Sequence, residues 1–335
     1  MSIQTLGDLA QTFVTRRQNT ELKMQMTSLT QELASGRTAD INRHLKGSFA
    51  QIADIEHRLH IQASYRTTTA EAGIFTSAMQ VALERVQVEA EDIGAVAILT
   101  GATTGGTAIA SVASRAQNGL DVIVSALNTE IAGRPLFSGV DLDESPLIDS
   151  GSLLSLVRTA LAGTTNANEV RAELDQFFAN GGDFDALVYK GSAQNPAPYR
   201  LGEGESVQLS LKADDQAFRE TLKFSVMAAV SNDDTLGLQT DDRLILTRTA
   251  GEGLMTHADR ITQVRADLGF AESRIEQSST RIAAEMTSLE YARGRLLAVD
   301  PFEAATELEN VQFQLETLYT ITARASRLNL VNYLS

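Results

Sequence analysis

The stretch that decides the fold is the last one, 300-DPFEAATELENVQFQLETLYTITARASRLNLVNYL-334. Asp300 before Pro301 pairs an N-cap side chain with a ring that pre-sets the first helical φ. Behind them Leu308, Val311, Leu315, Leu318, Thr322 and Ala325 return at intervals of three and four. That period is a coiled-coil seam, which needs a partner helix. At the other end Leu22, Met26, Leu29 and Leu33 form a stripe of the same kind. A lone amphipathic helix has nowhere to bury such a stripe. Both ends are therefore built to pack, against each other or against neighbouring copies.

Between them the prolines fall at 135, 146, 196, 198 and 301 only. Proline in a helix interior costs about 3 kcal/mol, so the two proline-free stretches permit very long helices. The apolar spacing predicts helix over 3–34, a break at Ala34-Ser35-Gly36-Arg37, and a long helix over 41–99 carrying Leu45, Ile52, Ile55, Leu59, Met79, Leu83 and Val86. The segment Thr100–Gly106 interrupts it, and a further helix runs to about 131. Residues 148–237 differ, with Gly181-Gly182, Asn195-Pro196, Gly202 and Gly204 as punctuation. Helices over 152–162, 167–179 and 215–230 and strands at 186–189 and 206–211 are expected there. Helix returns over 238–294. The fold class is mainly α, a long-helix coiled-coil bundle with paired termini and a small α+β insertion.

The 335 residues carry 43 acidic and 28 basic side chains, a formal charge of −15. This disfavours a nucleic-acid binder or a polybasic membrane-surface protein. The middle, 61–240, holds most of the negative charge, and the ends are near neutral, as suits ends buried in an assembly and a middle facing water. There is no Cys, hence no disulfide, thiolate metal site or Cys nucleophile. Aromatics are only 5% and Trp is absent, which suits narrow aliphatic packing. No apolar run approaches a membrane span, and the N-terminus shows no cleavable secretory signal.

No catalytic, cofactor or metal site is expected. Gly101-Ala102-Thr103-Thr104-Gly105-Gly106-Thr107 has Gly where a phosphate loop needs Lys, and follows a helix rather than a strand. His44, His57, His60 and His257 read as solvated helix residues. Asp214-Asp215, Asp233-Asp234 and Asp241-Asp242 lack calcium-loop spacing and read as caps. Asp141, Asp143 and Glu144 lie near a turn, where weak cation binding is the alternative to a solvated turn.

Three elements carry a resemblance. The C-terminal stretch is similar to the terminal signature of the flagellin superfamily, through Asp300, Pro301, Leu308, Leu315, Leu328, Leu330, Asn332, Tyr333 and Leu334. Leu33-Ala34-Ser35-Gly36-Arg37 is similar to the turn after that family's first helix. Leu127-Asn128-Thr129-Glu130-Ile131-Ala132-Gly133-Arg134-Pro135-Leu136-Phe137-Ser138-Gly139 resembles the element of its hook–filament junction members, through Asn128, Gly133, Phe137, Ser138 and Gly139.

The resemblance implies a terminal coiled-coil domain (1–42 with 296–335), a helical domain (43–147 with 238–295) with a short β element near 133–141, and an outward α+β insertion (148–237). It implies a structural adaptor, not an enzyme, on the extracellular flagellum. Its partners would be copies of itself in a ring, the hook-side hook-associated protein, flagellin, an export chaperone and the type III export apparatus. No nucleic acid, membrane insertion or cofactor is expected. The alternative is flagellin, a self-polymerising filament subunit. The assembly element would be the terminal seam, Leu22, Met26, Leu29, Leu33, Leu308, Val311, Leu315 and Leu318, with Leu328, Leu330 and Leu334. These ends are expected to lack order until assembly.

Overall fold

The computed structural model describes residues 3–101 and 106–334. Along the chain run α1 (Ile3–Ser35), α2 (Ile41–His44), α3 (Ala50–Gly101), α4 (Gly106–Leu127), β1 (Glu130–Ile131), β2 (Arg134–Pro135), α5 (Ser150–Ala160), α6 (Ala167–Phe177), β3 (Tyr199–Gly202), β4 (Glu205–Val207), α7 (Gln216–Val230), α8 (Thr240–Leu296) and α9 (Pro301–Leu334). The chain divides into two compact units, Met1–Ala63 with Ala284–Ser335, and Ser64–Ala283. Helices α3 and α8 contribute residues to both.

In the first unit α1 stops where the sequence places its break. Gly36 adopts φ +67° and donates its N–H to the Glu32 carbonyl at 2.8 Å, a left-handed helix end that glycine reaches without a Cβ penalty. The predicted unbroken helix over 41–99 is corrected. Lys46 and Gly47 take φ +48° and +82°, and two successive left-handed residues cannot continue a right-handed helix. Asp40 caps the single turn α2 by accepting the Arg43 N–H at 3.1 Å. Helix α3 then packs Ile55 and Leu59 against Leu289, with Leu296 alongside. The start of α9 is capped as expected, the Asp300 carboxylate accepting the Phe302 N–H at 2.8 Å.

The second unit is built around one apolar core. Leu254, Ile261, Leu268, Ile275 and Ile282 are buried on α8 at seven-residue intervals, a heptad seam. Polar groups sit between helices here. The Gln80 amide donates to the Arg265 carbonyl at 2.9 Å, and the Arg265 guanidinium donates to Gln87 at 2.7 Å. Such half-buried polar layers help to fix helix register. Helix α7 is buried almost all round, and Phe137, Phe184 and Phe218 are fully enclosed.

Three sequence expectations change in this unit. Helix α4 ends at Leu127, and a β1–β2 hairpin follows, with Ala132 (φ +52°) and Gly133 (φ +75°) at its tip. Two positive φ values are what a two-residue hairpin loop requires. The strand expected at 186–189 is a π-helical turn, Phe184–Val188, and Tyr189 alone bridges Leu147. A short apolar run reads equally as strand or helix, and an i, i+4 spacing sends Phe184 and Val188 into the core. The strand expected at 206–211 pairs only through Glu205–Val207 with β3. Of the break expected at Thr100–Gly106, residues 102–105 lie outside the described residues.

Candidate assembly site

The terminal seam closes within the chain. Leu29, Val311 and Leu315 form its buried centre, and Leu22, Met26 and Leu308 pack against it. In the described residues α1 and α9 are helices, and each supplies the other's partner stripe. Leu33 does not join, being 41% exposed. Leu318 is half-buried and lines a groove of about 420 Å³ with Leu22, Phe313 and Ile321. Leu328, Leu330, Asn332, Tyr333 and Leu334 fall in the α9 helix, and their side chains lie outside the described residues.

The chain segments at the inner end of this pair are clipped together. Arg37 and Ala298 form an antiparallel bridge. The Thr38 N–H donates to the Leu297 carbonyl at 2.9 Å, and the Val299 N–H to the Gly36 carbonyl at 3.2 Å. So Gly36 and Arg37 lie beside the segment that leads into Asp300 and Pro301. The Glu32 side chain, only 4% exposed, accepts the Ala39 N–H at 2.8 Å and the Thr38 hydroxyl at 3.3 Å. A buried carboxylate needs such donors. His44 Nε2 lies 3.1 Å from the Leu296 carbonyl oxygen. Sequence reading missed Glu32, because its partners Thr38 and Ala39 lie in a loop with no periodic signal, whereas His44 is exposed on α2 as expected.

The motif residues of the second unit form a separate cluster. The Asn128 side chain donates to the Leu147 carbonyl at 2.9 Å and accepts the Leu147 N–H at 2.8 Å. Phe137 is fully buried and meets Phe218 edge-on at 6.0 Å. Its carbonyl accepts the Ala213 N–H at 2.9 Å. The Ser138 hydroxyl donates to the Asp141 carbonyl, and the Ser138 carbonyl accepts the Ser192 N–H at 2.8 Å. Gly139 takes φ +70°, and a Cβ there would lie 2.5 Å from the Gln194 carbonyl oxygen. Each of these residues holds loops together, and none presents reactive groups to a shared cavity.

The acidic pairs act as caps and ion-pair partners. Asp233 caps the turn at Asp234–Leu236 and pairs with Arg158 at 2.6 Å. Asp234 pairs with Arg243 at 3.0 Å, and Asp242 accepts the Ala167 N–H at 2.9 Å. Among the described residues no group of three or more His, Asp or Glu side chains is placed to hold a metal. No described helix is long and apolar enough to cross a membrane.

His257 departs from the solvated reading. It stacks on Phe224 with ring centroids 5.4 Å apart, and its Nε2 lies 3.6 Å from Glu220. Burial pushes its pKa below the ordinary 6.5; Glu220 opposes this, and the Arg260 and Lys223 charges add to it. The neutral ring is thus favoured in the folded state. Its stabilising contribution is complete above the unfolded value and is lost as pH falls through the lower folded value. Thermal melts of wild type from about pH 7.5 down to about pH 5 should show this loss, and His257→Gln should flatten it. Equal slopes for the two proteins would refute the assignment.

Residues 253–334 match the family described as the bacterial flagellin C-terminal helical region. Among curated protein sequences there is no match. Among solved structures the chain is similar to FlgL of Bacillus cereus, with TM-score 0.53 at 12% identity, over 72% of this chain and 100% of that one. A Vibrio parahaemolyticus chain assigned as a flagellar hook-associated protein matches with TM-score 0.49 at 10% identity, over 73% of this chain and 95% of that one. The likeness to the Bacillus cereus protein, at such low identity, is a likeness of fold. The matched C-terminal region, similar to that of flagellins, is the one that supplies α9 and its seam residues.

Proposed function

We propose that this protein is a structural adaptor of the bacterial flagellum, placed at the hook–filament junction and assembled through its terminal helices. The observation that carries this reading is the apolar surface left over once the seam is closed. Phe13 (71% exposed), Met24 (62%), Phe302 (84%), Phe313 (70%) and Ile321 (58%) lie on α1 and α9 outside the seam. Exposed apolar side chains in such number on one helix pair mark an interaction surface. The seam holds the pair together, and the outer residues meet neighbouring subunits. The flagellin C-terminal region and the FlgL-like fold support the same reading.

On this reading copies stack as a ring, between a hook-side hook-associated protein and the first flagellin subunits. Export would use an export chaperone and the type III export apparatus, ending on the extracellular flagellum. The role is structural and not enzymatic. The three-domain division, 1–42 with 296–335, 43–147 with 238–295, and 148–237, belongs to the same proposal.

The test adds purified protein to short filament seeds in mildly precipitating salt, read by electron microscopy. An adaptor caps seeds or decorates hook-side protein at one end and forms no filament alone. Long filaments of the protein by itself would establish the alternative, flagellin. The Phe137-Ser138-Gly139 element favours the adaptor.

A further inference from the structure

Beyond the terminal helices, the second unit contains an extended segment without backbone partners. Strand β4 pairs with β3 as far as Tyr199 opposite Val207. Continuing that register would set Pro198 opposite Gln208 and Pro196 opposite Ser210. Proline has no N–H to give to a ladder, and the pairing ends there. Among the described residues, no backbone N–H or carbonyl of Gln208, Leu209, Ser210 or Leu211 has a hydrogen-bond partner in the chain.

The segment still alternates as a strand does. Leu209 is buried and Leu211 half-buried, while Gln208 and Ser210 are exposed. It borders a groove of about 540 Å³. Met79 of α3 and Val264, Leu268 and Ala271 of α8 give this groove an apolar wall. Its charged groups are Lys212, Asp215 and Asp267. The Lys212 ammonium is already engaged, 3.4 Å from Asp214 and 3.2 Å from the Ala193 carbonyl oxygen. Asp215 accepts the Lys212 N–H at 3.0 Å and Asp267 accepts the Gln263 amide at 3.0 Å, and neither has an ion-pair partner among the described residues. Burial holds Asp215 above the ordinary carboxylate value even though the Lys212 N–H and the Lys212 and Arg219 charges oppose it, and a further cation would offset more of the burial.

We infer that Gln208–Leu211 and the groove beside it are a docking site for an extended polypeptide strand that alternates apolar and basic residues. The unpaired backbone would supply the hydrogen bonds of an added strand, as an exposed edge does. The apolar wall takes one face of the incoming strand, and Asp215 and Asp267 select its basic residues. This surface is independent of α1 and α9, and of the adaptor reading.

The probe is a short blocked peptide of alternating valine and lysine, added to the full-length protein. Amide hydrogen exchange at 208–211 is expected to be fast in the free protein and to slow as the peptide saturates. The same peptide N-methylated at alternate amides should bind at least about tenfold more weakly, since it cannot complete a ladder. Asp267→Asn, an exposed change on α8, should weaken binding of the valine–lysine peptide and not of a valine–glutamine one. Unchanged exchange at the highest soluble peptide concentration would overturn the inference. So would equal binding by the N-methylated peptide, or tighter binding by a valine–glutamate peptide.

Discussion

Gly139→Ala is expected to destabilise the second unit by roughly 3 kcal/mol or more, the range of substitutions that combine backbone strain with a core-side clash. Two causes add. The residue sits at φ +70°, which a Cβ disfavours. The new methyl would also lie 2.5 Å from the Gln194 carbonyl oxygen and 2.7 Å from that of Ser192. Neither oxygen is free to retreat. The first accepts the Val140 N–H at 3.1 Å, and the second accepts the Tyr189 hydroxyl at 3.0 Å. Relieving the clash therefore breaks one of the bonds that join 138–141 to 189–194. Gly36→Ala is the control. Its φ is +67° but nothing lies within 4 Å of the added Cβ, so only the conformational cost remains, about 1 kcal/mol. Urea unfolding followed by circular dichroism compares the two. Equal losses would show that the crowding at Gly139 carries no weight.

Leu315→Asp is expected to open the α1–α9 pair and, on the adaptor reading, to abolish incorporation into the flagellum. Leu315 is 6% exposed and sits in the centre of the seam. Its removal forfeits about 1.5–3 kcal/mol of apolar burial. A carboxylate in its place has no donor in an apolar cluster and adds a desolvation penalty. Helical signal should fall, while the melting of the second unit stays where it is in wild type. Leu315→Met keeps the volume and should cost under about 1.5 kcal/mol. Normal assembly of the Asp variant would remove the seam from the mechanism. Loss of assembly with the pair still helical would place the effect on the outer surface instead.

The helices were largely legible because their signals are local. The run from Asp300 to Leu318 contains its own cap, its own first-turn proline and its own stripe. Gly36 and Gly181 mark turns for reasons of φ. Where two local readings compete, the sequence is silent. Phe184 to Val188 is apolar enough for a strand, and only the core that receives Phe184 and Val188 selects the π-helical turn. The break at Lys46 and Gly47 was hidden behind apolar residues on either side that keep helical spacing. The extended run 206–211 alternates correctly, but its pairing depends on Pro196 and Pro198 across the hairpin.

The terminal seam divides in the same way. The identity of its seam residues is a matter of period, and Leu22, Met26, Leu29, Leu308, Val311 and Leu315 are found from sequence alone. That this seam closes within one chain, that Leu33 stays outside it, and that Glu32 ties α1 to the loop after it were decided by tertiary structure. The physical reason is range. Capping, helix period and backbone φ act over a few residues and are written in the order of the chain. Burial, close approach and the pairing of unsatisfied backbone groups join residues far apart in it. Arg37 meets Ala298, and Gly139 meets Gln194, only after the chain has folded.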